Sequence, residues 1–143
     1  MTINFTLAKD ILVEFFKAYR PHGPSSIFIV GETLNFEGVA NGEISGLVFE
    51  MAELKLIDIE KLPGVIAERF LLTRLSDDVQ EIVPLLADPE VWHWISADLN
   101  ASASSTLNDL VSVAMRRATG TMARQPDDRL RTVDRAVVKT ATG

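Results

Sequence analysis

The amino-acid sequence predicts an α+β fold, because a helical pattern of apolar residues changes to a strand pattern near its centre. Over residues 43–55 apolar side chains recur at helical spacing along one side. They are Ile44, Leu47, Val48, Met51 and Leu54. After this helix the period becomes two, since Ile57 and Ile59 alternate with acidic residues. Such alternation is typical of a strand with one buried face.

A hairpin is predicted directly after this strand. Pro63-Gly64 favours a turn, because proline fixes φ and glycine accepts positive φ. A returning strand over roughly residues 66–73 then places Ile66, Phe70 and Leu72 on one side. The centre of the chain therefore reads as helix, strand, turn and strand.

The residues before this centre predict one helix and one short strand. Asn4 or Thr6 can cap a helix that runs to about Tyr19, and the prolines of segment 21–24 end it. The apolar run 26–30 predicts a buried strand. Segment 34–40 contains a glycine and can form one helical turn at most.

Three helices are predicted after the hairpin. Ser76 and Asp88 are suitable N-caps for the first two of these helices. Pro84 should bend or shorten the first helix, and Trp92 of the second is expected in the core. Segment 100–105 resembles a flexible link. The last helix begins near Thr106 and is expected to close at Gly120, with Arg116 and Arg117 in its last turn.

Helix, short strand, helix and β-hairpin wing follow one another in the order of a winged helix. We therefore expect a winged-helix-like core followed by C-terminal helices, all within residues 1–118. Residues 119–143 are expected to form a basic, partly flexible tail, with a short helix starting near Pro126.

Composition limits the class of protein. A chain of 143 residues with 47% hydrophobic content can bury one core. Neither a secretory signal nor an apolar run long enough for a membrane span is recognisable. The lack of cysteine suits a reducing compartment, so a cytoplasmic location is expected.

The net charge of −6 is unevenly distributed. Residues 1–114 carry 7 Lys and Arg against 17 Asp and Glu, whereas residues 115–143 carry 7 against 3. An acidic body repels phosphates, so only the tail can attract nucleic acid. The candidate residues for that contact are Arg116, Arg117, Arg124, Arg129, Arg131, Arg135 and Lys139.

In a winged helix, the helix before the wing usually enters the major groove. Here its predicted outward face offers no cation and carries Glu50 and Glu53, which disfavours groove reading. Phe49 on the same face suits the edge of a protein contact, although a partly covered structural side chain is the commoner alternative. Trp94 of a later helix suits an aromatic contact surface, although packing against the C-terminal helix is the favoured alternative. We therefore predict Phe49, Glu50, Glu53 and Trp94 as protein-binding residues, either for another protein or for a homodimer.

No pattern of catalytic or cofactor-binding residues stands out. His22 and His93 lack partners at metal-ligand spacing, and no glycine-rich phosphate motif is present. The acidic residues Glu32, Glu37 and Glu43 read as solvated loop charge, with a catalytic or metal-binding set as the alternative. The prediction is a protein that is not an enzyme and needs no cofactor.

Several of these residues also carry a family resemblance. The residues are Glu43, Ile44, Val48, Met51, Glu53, Leu56, Ile57, Leu72, Thr73, Asp88, Val91 and Trp92. In this succession the chain, from its first helix to about Arg117, resembles the winged-helix-type family called domain of unknown function 2513, which is often found in bacterial and prophage sequences. It departs from the family pattern at Leu47, where a histidine is common, and at Leu54-Lys55, where Ala-Gly is usual.

Together, the residues and the resemblance predict a small, non-enzymatic regulatory protein of phage or prophage type. It is expected to act through protein–protein contacts. The alternative is a transcriptional regulator that binds nucleic acid weakly and without sequence preference through the basic tail.

Overall fold

The computed structural model describes residues 4–63, 68–103 and 106–124, the last five of them as backbone only. Five helices and three strands follow one another in this part of the chain. They are α1 Phe5–Ala18, β1 Ser26–Ile29, α2 Asn41–Glu53, β2 Ile57–Leu62, β3 Arg69–Leu75, α3 Asp77–Leu86, α4 Pro89–Ala101 and α5 Leu107–Arg124. This order confirms the predicted α+β class, with a winged-helix-like arrangement followed by C-terminal helices.

The three strands form one antiparallel sheet in the order β1-β3-β2. The hairpin β2-β3 is the predicted wing, and a bulge interrupts its register at Asp58 and Ile59. The returning strand begins and ends later than predicted, since β3 spans Arg69–Leu75. Ile66 and Gly64 of the predicted strand and turn lie outside the described residues.

Three aromatic rings join α1 to one face of this sheet. Phe15 of α1 meets Phe28 of β1 at a centroid distance of 4.9 Å and Phe70 of β3 at 6.0 Å, both edge to face. Phe28 and Phe70 stack on neighbouring strands at 5.8 Å. Edge-to-face and offset contacts of this kind suit the ring quadrupoles, so the inner face of the sheet is fixed against α1.

The helical stripe predicted in α2 is buried in this core. Ile44 and Met51 have no exposed surface, and Val48 has almost none. Phe70 and Leu72 of the wing belong to the same cluster. Trp92 is only half-buried at its edge, and Lys9 Nζ lies 5.4 Å from the Trp92 ring centroid.

The predicted helix caps are present. Asn4 accepts a hydrogen bond from the Leu7 amide, Ser76 from Val79, and Asp88 from Glu90 and Val91. Each satisfies an amide that has no partner within its helix. These caps explain why the chain enters α1, α3 and α4 where it does.

Two boundaries differ from the sequence-based expectation. The last helix does not close at Gly120 but continues to Arg124, so Arg116 and Arg117 lie well inside it and not in its last turn. One glycine costs a helix only about 1 kcal/mol, which neighbouring helical residues can offset. Likewise, α4 extends to Ala101, into the segment expected to be a link.

Pro84 neither starts nor ends α3. The helix contains it and continues to Leu86, and the proline itself faces solvent. Segment 34–40 forms turns, with no helix between β1 and α2. The second helix of the usual winged-helix order is therefore replaced here by a loop.

Candidate protein-binding surfaces

The outward face of α2 is acidic, as the sequence predicts, but its aromatic residue is not freely exposed. Phe49 is half-buried, and Lys61 of β2 reaches across from the wing to its ring. The Lys61 Nζ lies 4.4 Å from the centroid of the Phe49 ring, within cation–π distance. Phe49 is therefore the partly covered side chain of the sequence-based alternative and not a freely exposed one.

What α2 presents to solvent is mainly negative charge. Glu53 is exposed, Glu50 is half-buried, and Gly46, one turn before Glu50, is exposed. The wing cation Lys61 lies over the Phe49 ring. This face can approach a cationic partner, whereas phosphates would be repelled.

Trp94 of α4 has 49% of its surface open to solvent, whereas packing against the C-terminal helix was the favoured expectation. The guanidinium carbon of Arg117 on α5 lies 5.8 Å from its ring centroid. Arg117 also donates a hydrogen bond to Asp98 over an Nη2–Oδ2 distance of 3.3 Å. On the other side, His93 meets Trp94 edge to face at 5.6 Å. We call Trp94, His93, Asp98 and Arg117 the Trp94 surface.

The structure thus brings together two residues that the sequence assigned to different tasks. Trp94 was expected to bind protein and Arg117 nucleic acid, yet they share one surface. The ion pair with Asp98 holds the Arg117 guanidinium beside the ring and offsets part of its positive charge. Arg117 is therefore better suited to a protein contact than to phosphate.

The other candidate cations are spread along the C-terminal part of the chain. Arg116 is exposed on α5, and Arg124 ends that helix. The remaining four and the helix predicted from Pro126 lie outside the described residues; these cations are Arg129, Arg131, Arg135 and Lys139. Their role in nucleic-acid binding stays a prediction.

Sequence reasoning missed a third surface, on the side of the sheet that faces away from α1. Ile27 of β1 is 55% exposed, although its strand was expected to be buried. Beside it, Ile29, Leu62 and Leu71 are half-buried. We call these four aliphatic residues the outer sheet face. The sequence of β3 indicated this surface. Leu71 lies between the inward residues Phe70 and Leu72, so both faces of the strand carry apolar residues.

Charged residues of both signs lie on or beside the outer sheet face. Arg74 Nε donates to Asp58 Oδ2 at 2.9 Å, and this hydrogen bond is the main cause of the raised pKa of the Arg74 guanidinium. Arg69 Nη2 donates to the Pro63 carbonyl at 2.6 Å, while Glu60 is exposed. The charges of Asp58, Glu60, Arg69 and Arg74 therefore sum to zero.

Metal and small-molecule chemistry finds little support in the described part of the chain. Within it, no three His, Asp or Glu side chains converge as a metal site would require, so Glu32, Glu37 and Glu43 do not form one. A cavity of about 40 Å³ between Tyr19 and Thr73 has room for one or two waters. Nor does any described helix combine the length and apolar character of a bilayer span.

Comparisons with protein-family models, with curated proteins and with solved structures found no match to this chain. The resemblance to domain of unknown function 2513 therefore stays a prediction. Function has to be argued from the surfaces themselves.

Proposed function

We propose that this chain is a non-enzymatic regulatory protein that acts by binding another protein through the Trp94 surface. The observation that carries this proposal is the exposed indole of Trp94 with a cation fixed beside it. Tryptophan and arginine are the residue types most enriched among the side chains that dominate binding energy at protein interfaces. The family resemblance favours a phage or prophage setting for this role.

The Trp94 surface is preorganised, which supports a binding role. Because Asp98 and the indole both hold Arg117, little side-chain entropy remains to be lost when a partner docks. The surface joins two helices that pack on each other, so its backbone is also supported. An aromatic or acidic group of a partner could contact the open indole and the free donors of Arg117.

The test is capture of a partner by the full chain and by the Trp94→Ala variant. We expect the wild type to retain a protein from a lysate of the cells that encode it. The Trp94→Ala variant should bind that protein at least about tenfold more weakly, as removal of a central aromatic residue typically causes. Phe16→Ala, which removes an exposed ring from α1, is the matched control and should retain the partner.

Fluorescence gives an independent reading. The chain has two tryptophans, so Trp92→Phe leaves Trp94 as the only indole. Addition of the purified partner should shift or quench its emission because the indole loses contact with water. A partner that binds Trp94→Ala as tightly as the wild type, with no change in emission, would refute the proposal.

A second candidate function, weak nucleic-acid binding through the basic tail, is favoured by the charge distribution. The exposed Arg116 and the cations after it face no comparable excess of acid in their own segment. The acidic face of α2 opposes any approach of DNA from that side. Binding of this kind should be weak and should not depend on sequence.

A further inference from the structure

In the described part of the chain, α1 covers the inner face of the sheet, whereas Ile27 on the outer sheet face is 55% exposed. Adjacent strand residues point to opposite faces. Since Phe28 and Phe70 contact α1, Ile27 and Leu71 point away from it. We propose that a second copy of this chain covers the outer sheet face, which makes it a homodimer surface. This inference goes beyond the proposed function, because it uses a different surface and a different partner.

The four aliphatic residues of this face lie in two adjacent rows of the sheet. Ile27 lies opposite Leu71 across the β1-β3 ladder, and Arg69 lies between Ile29 and Leu62 in the next row. A sheet face that stays in water is normally polar, whereas this one carries four aliphatic residues beside Glu60 and Arg69. Removing such a surface from water is favourable, at about 25 cal/mol for each Å² of apolar area.

The geometry of the β1 edge argues against an added peptide strand as the occupant. The Ile29 amide already donates to Thr33 Oγ1 at 2.7 Å, and its carbonyl accepts from Glu32 and Leu34. Strand addition requires hydrogen bonds at successive outward positions along the edge. With Ile29 engaged, the ladder could not pass beyond Ile27. On the β1 side of the sheet, the apolar face and not the strand edge is therefore the part available to a partner.

Charge selects a second copy as that partner. The body of this chain is strongly acidic, so two copies repel each other over most of their surfaces. The outer sheet face differs, because Asp58 forms an ion pair with Arg74 beside it and the face carries one further acid, Glu60, and one further base, Arg69. By contrast, two copies that met through α2 would bring Glu50 and Glu53 together.

The face is also complementary to itself. In a two-fold contact, residue i of one protomer meets residue j of the other, and j meets i. Glu60 and Arg69 lie on adjacent strands and in adjacent rows of the same face. Turning a copy over this face can therefore set Glu60 of each protomer against Arg69 of the partner subunit, around the aliphatic centre.

The first test measures molecular mass by sedimentation velocity over micromolar to hundreds of micromolar concentrations. We expect the wild type to move from 15.8 kDa towards twice that mass. Ile27→Lys should raise the dimer dissociation constant at least about tenfold, because it places two cations in the contact. Its melting temperature should stay near that of the wild type, since Ile27 is largely exposed.

Trp94→Lys is the matched control, an equal change of charge at an equally exposed apolar residue on α4. It should dimerise like the wild type even though it loses the partner of the proposed function. A wild type that keeps the monomer mass throughout would overturn the inference. So would an Ile27→Lys variant that dimerises unchanged.

The second test uses the Glu60–Arg69 contact. Glu60→Lys and Arg69→Glu should each weaken the homodimer, because each places like charges in opposition. An equal mixture of the two should form a heterodimer at wild-type concentrations, since both cross-contacts then become attractive. If the mixture stays at the monomer mass while each variant keeps the wild-type melting temperature, the two-fold arrangement is wrong.

Discussion

Lys61 Nζ of β2 lies 4.4 Å from the centroid of the Phe49 ring on α2. The contact joins the wing to the helix that precedes it. Phe49 is the one aromatic residue on the outward side of α2, and through this contact it is part of the helix–wing junction. The Phe49 side chain, which would otherwise offer an apolar contact on α2, is therefore partly covered.

A double-mutant cycle measures this contact. Lys61→Met keeps most of the aliphatic stem but removes the charge, and Phe49→Leu removes the ring. We expect a coupling free energy of about 0.5–1 kcal/mol from urea denaturation of the four proteins, the range of exposed cation–π pairs. Additive effects of the two substitutions would show that Lys61 only covers Phe49 and is not attracted to its ring.

The core prediction concerns Met51, which has no exposed surface. Met51→Asp should unfold the domain at room temperature, because a buried carboxylate without a partner costs more than a marginally stable domain can lose. Met51→Leu is the control and should cost less than about 1.5 kcal/mol. Circular dichroism during thermal melting separates the two, and a cooperative transition near the wild-type temperature for Met51→Asp would contradict the assigned core.

Two glycines should respond in opposite directions to alanine. Gly31 has a φ of +91°, and an added Cβ would lie 2.7 Å from Asn41 Nδ2, so Gly31→Ala should cost about 1–3 kcal/mol. Gly46 lies inside α2 with open space where a Cβ would sit. Gly46→Ala should therefore stabilise by about 0.5–1 kcal/mol. Chemical denaturation gives both values, and a destabilising Gly46→Ala would mean that α2 is not helical there.

Nucleic-acid binding, if it occurs, should depend on the tail and on salt. Each phosphate that is neutralised contributes a slope of about −0.9 to log K against log salt. Since Arg117 is paired with Asp98, six of the seven candidate cations are available at most. Removing residues 125–143 should abolish most binding to duplex DNA while leaving α5 its full length.

The acidic face of α2 supplies the complementary variant. Glu50→Lys combined with Glu53→Lys should strengthen binding to the same duplex, because it replaces repulsion by attraction. Fluorescence anisotropy at several salt concentrations measures both effects. Tight, sequence-dependent binding by the chain without its tail would show that α2 or the wing reads bases and would disprove the tail hypothesis.

Local sequence signals predicted much of the fold. Ser76 and Asp88 were found as caps because their chemistry is local, and the buried stripe of α2 was found because its spacing repeats. The end of α5 was not, since a glycine stops a helix only when the residues around it offer no compensation. Local propensity alone cannot weigh that balance.

The candidate surfaces depended on contacts between distant elements, and there the sequence was less informative. The cover over Phe49 comes from Lys61 on another element, and Arg117 reaches Trp94 from α5. Ile27 was assigned to a buried strand because an apolar run does not reveal whether both faces of its sheet are covered. Exposure at these positions is decided by tertiary packing.

The strand that carries Ile27 also differs from the rest of the sheet in how late it can form. β2 and β3 are joined by one hairpin. By contrast, β1 must wait for its partner β3, which follows in the chain only after α2 and β2. Closing that long loop slows the pairing. Substitutions in β1 should therefore act mainly on the unfolding rate, and substitutions in the hairpin on the refolding rate. We expect β1 to be the last strand of the sheet to fold and the first to detach.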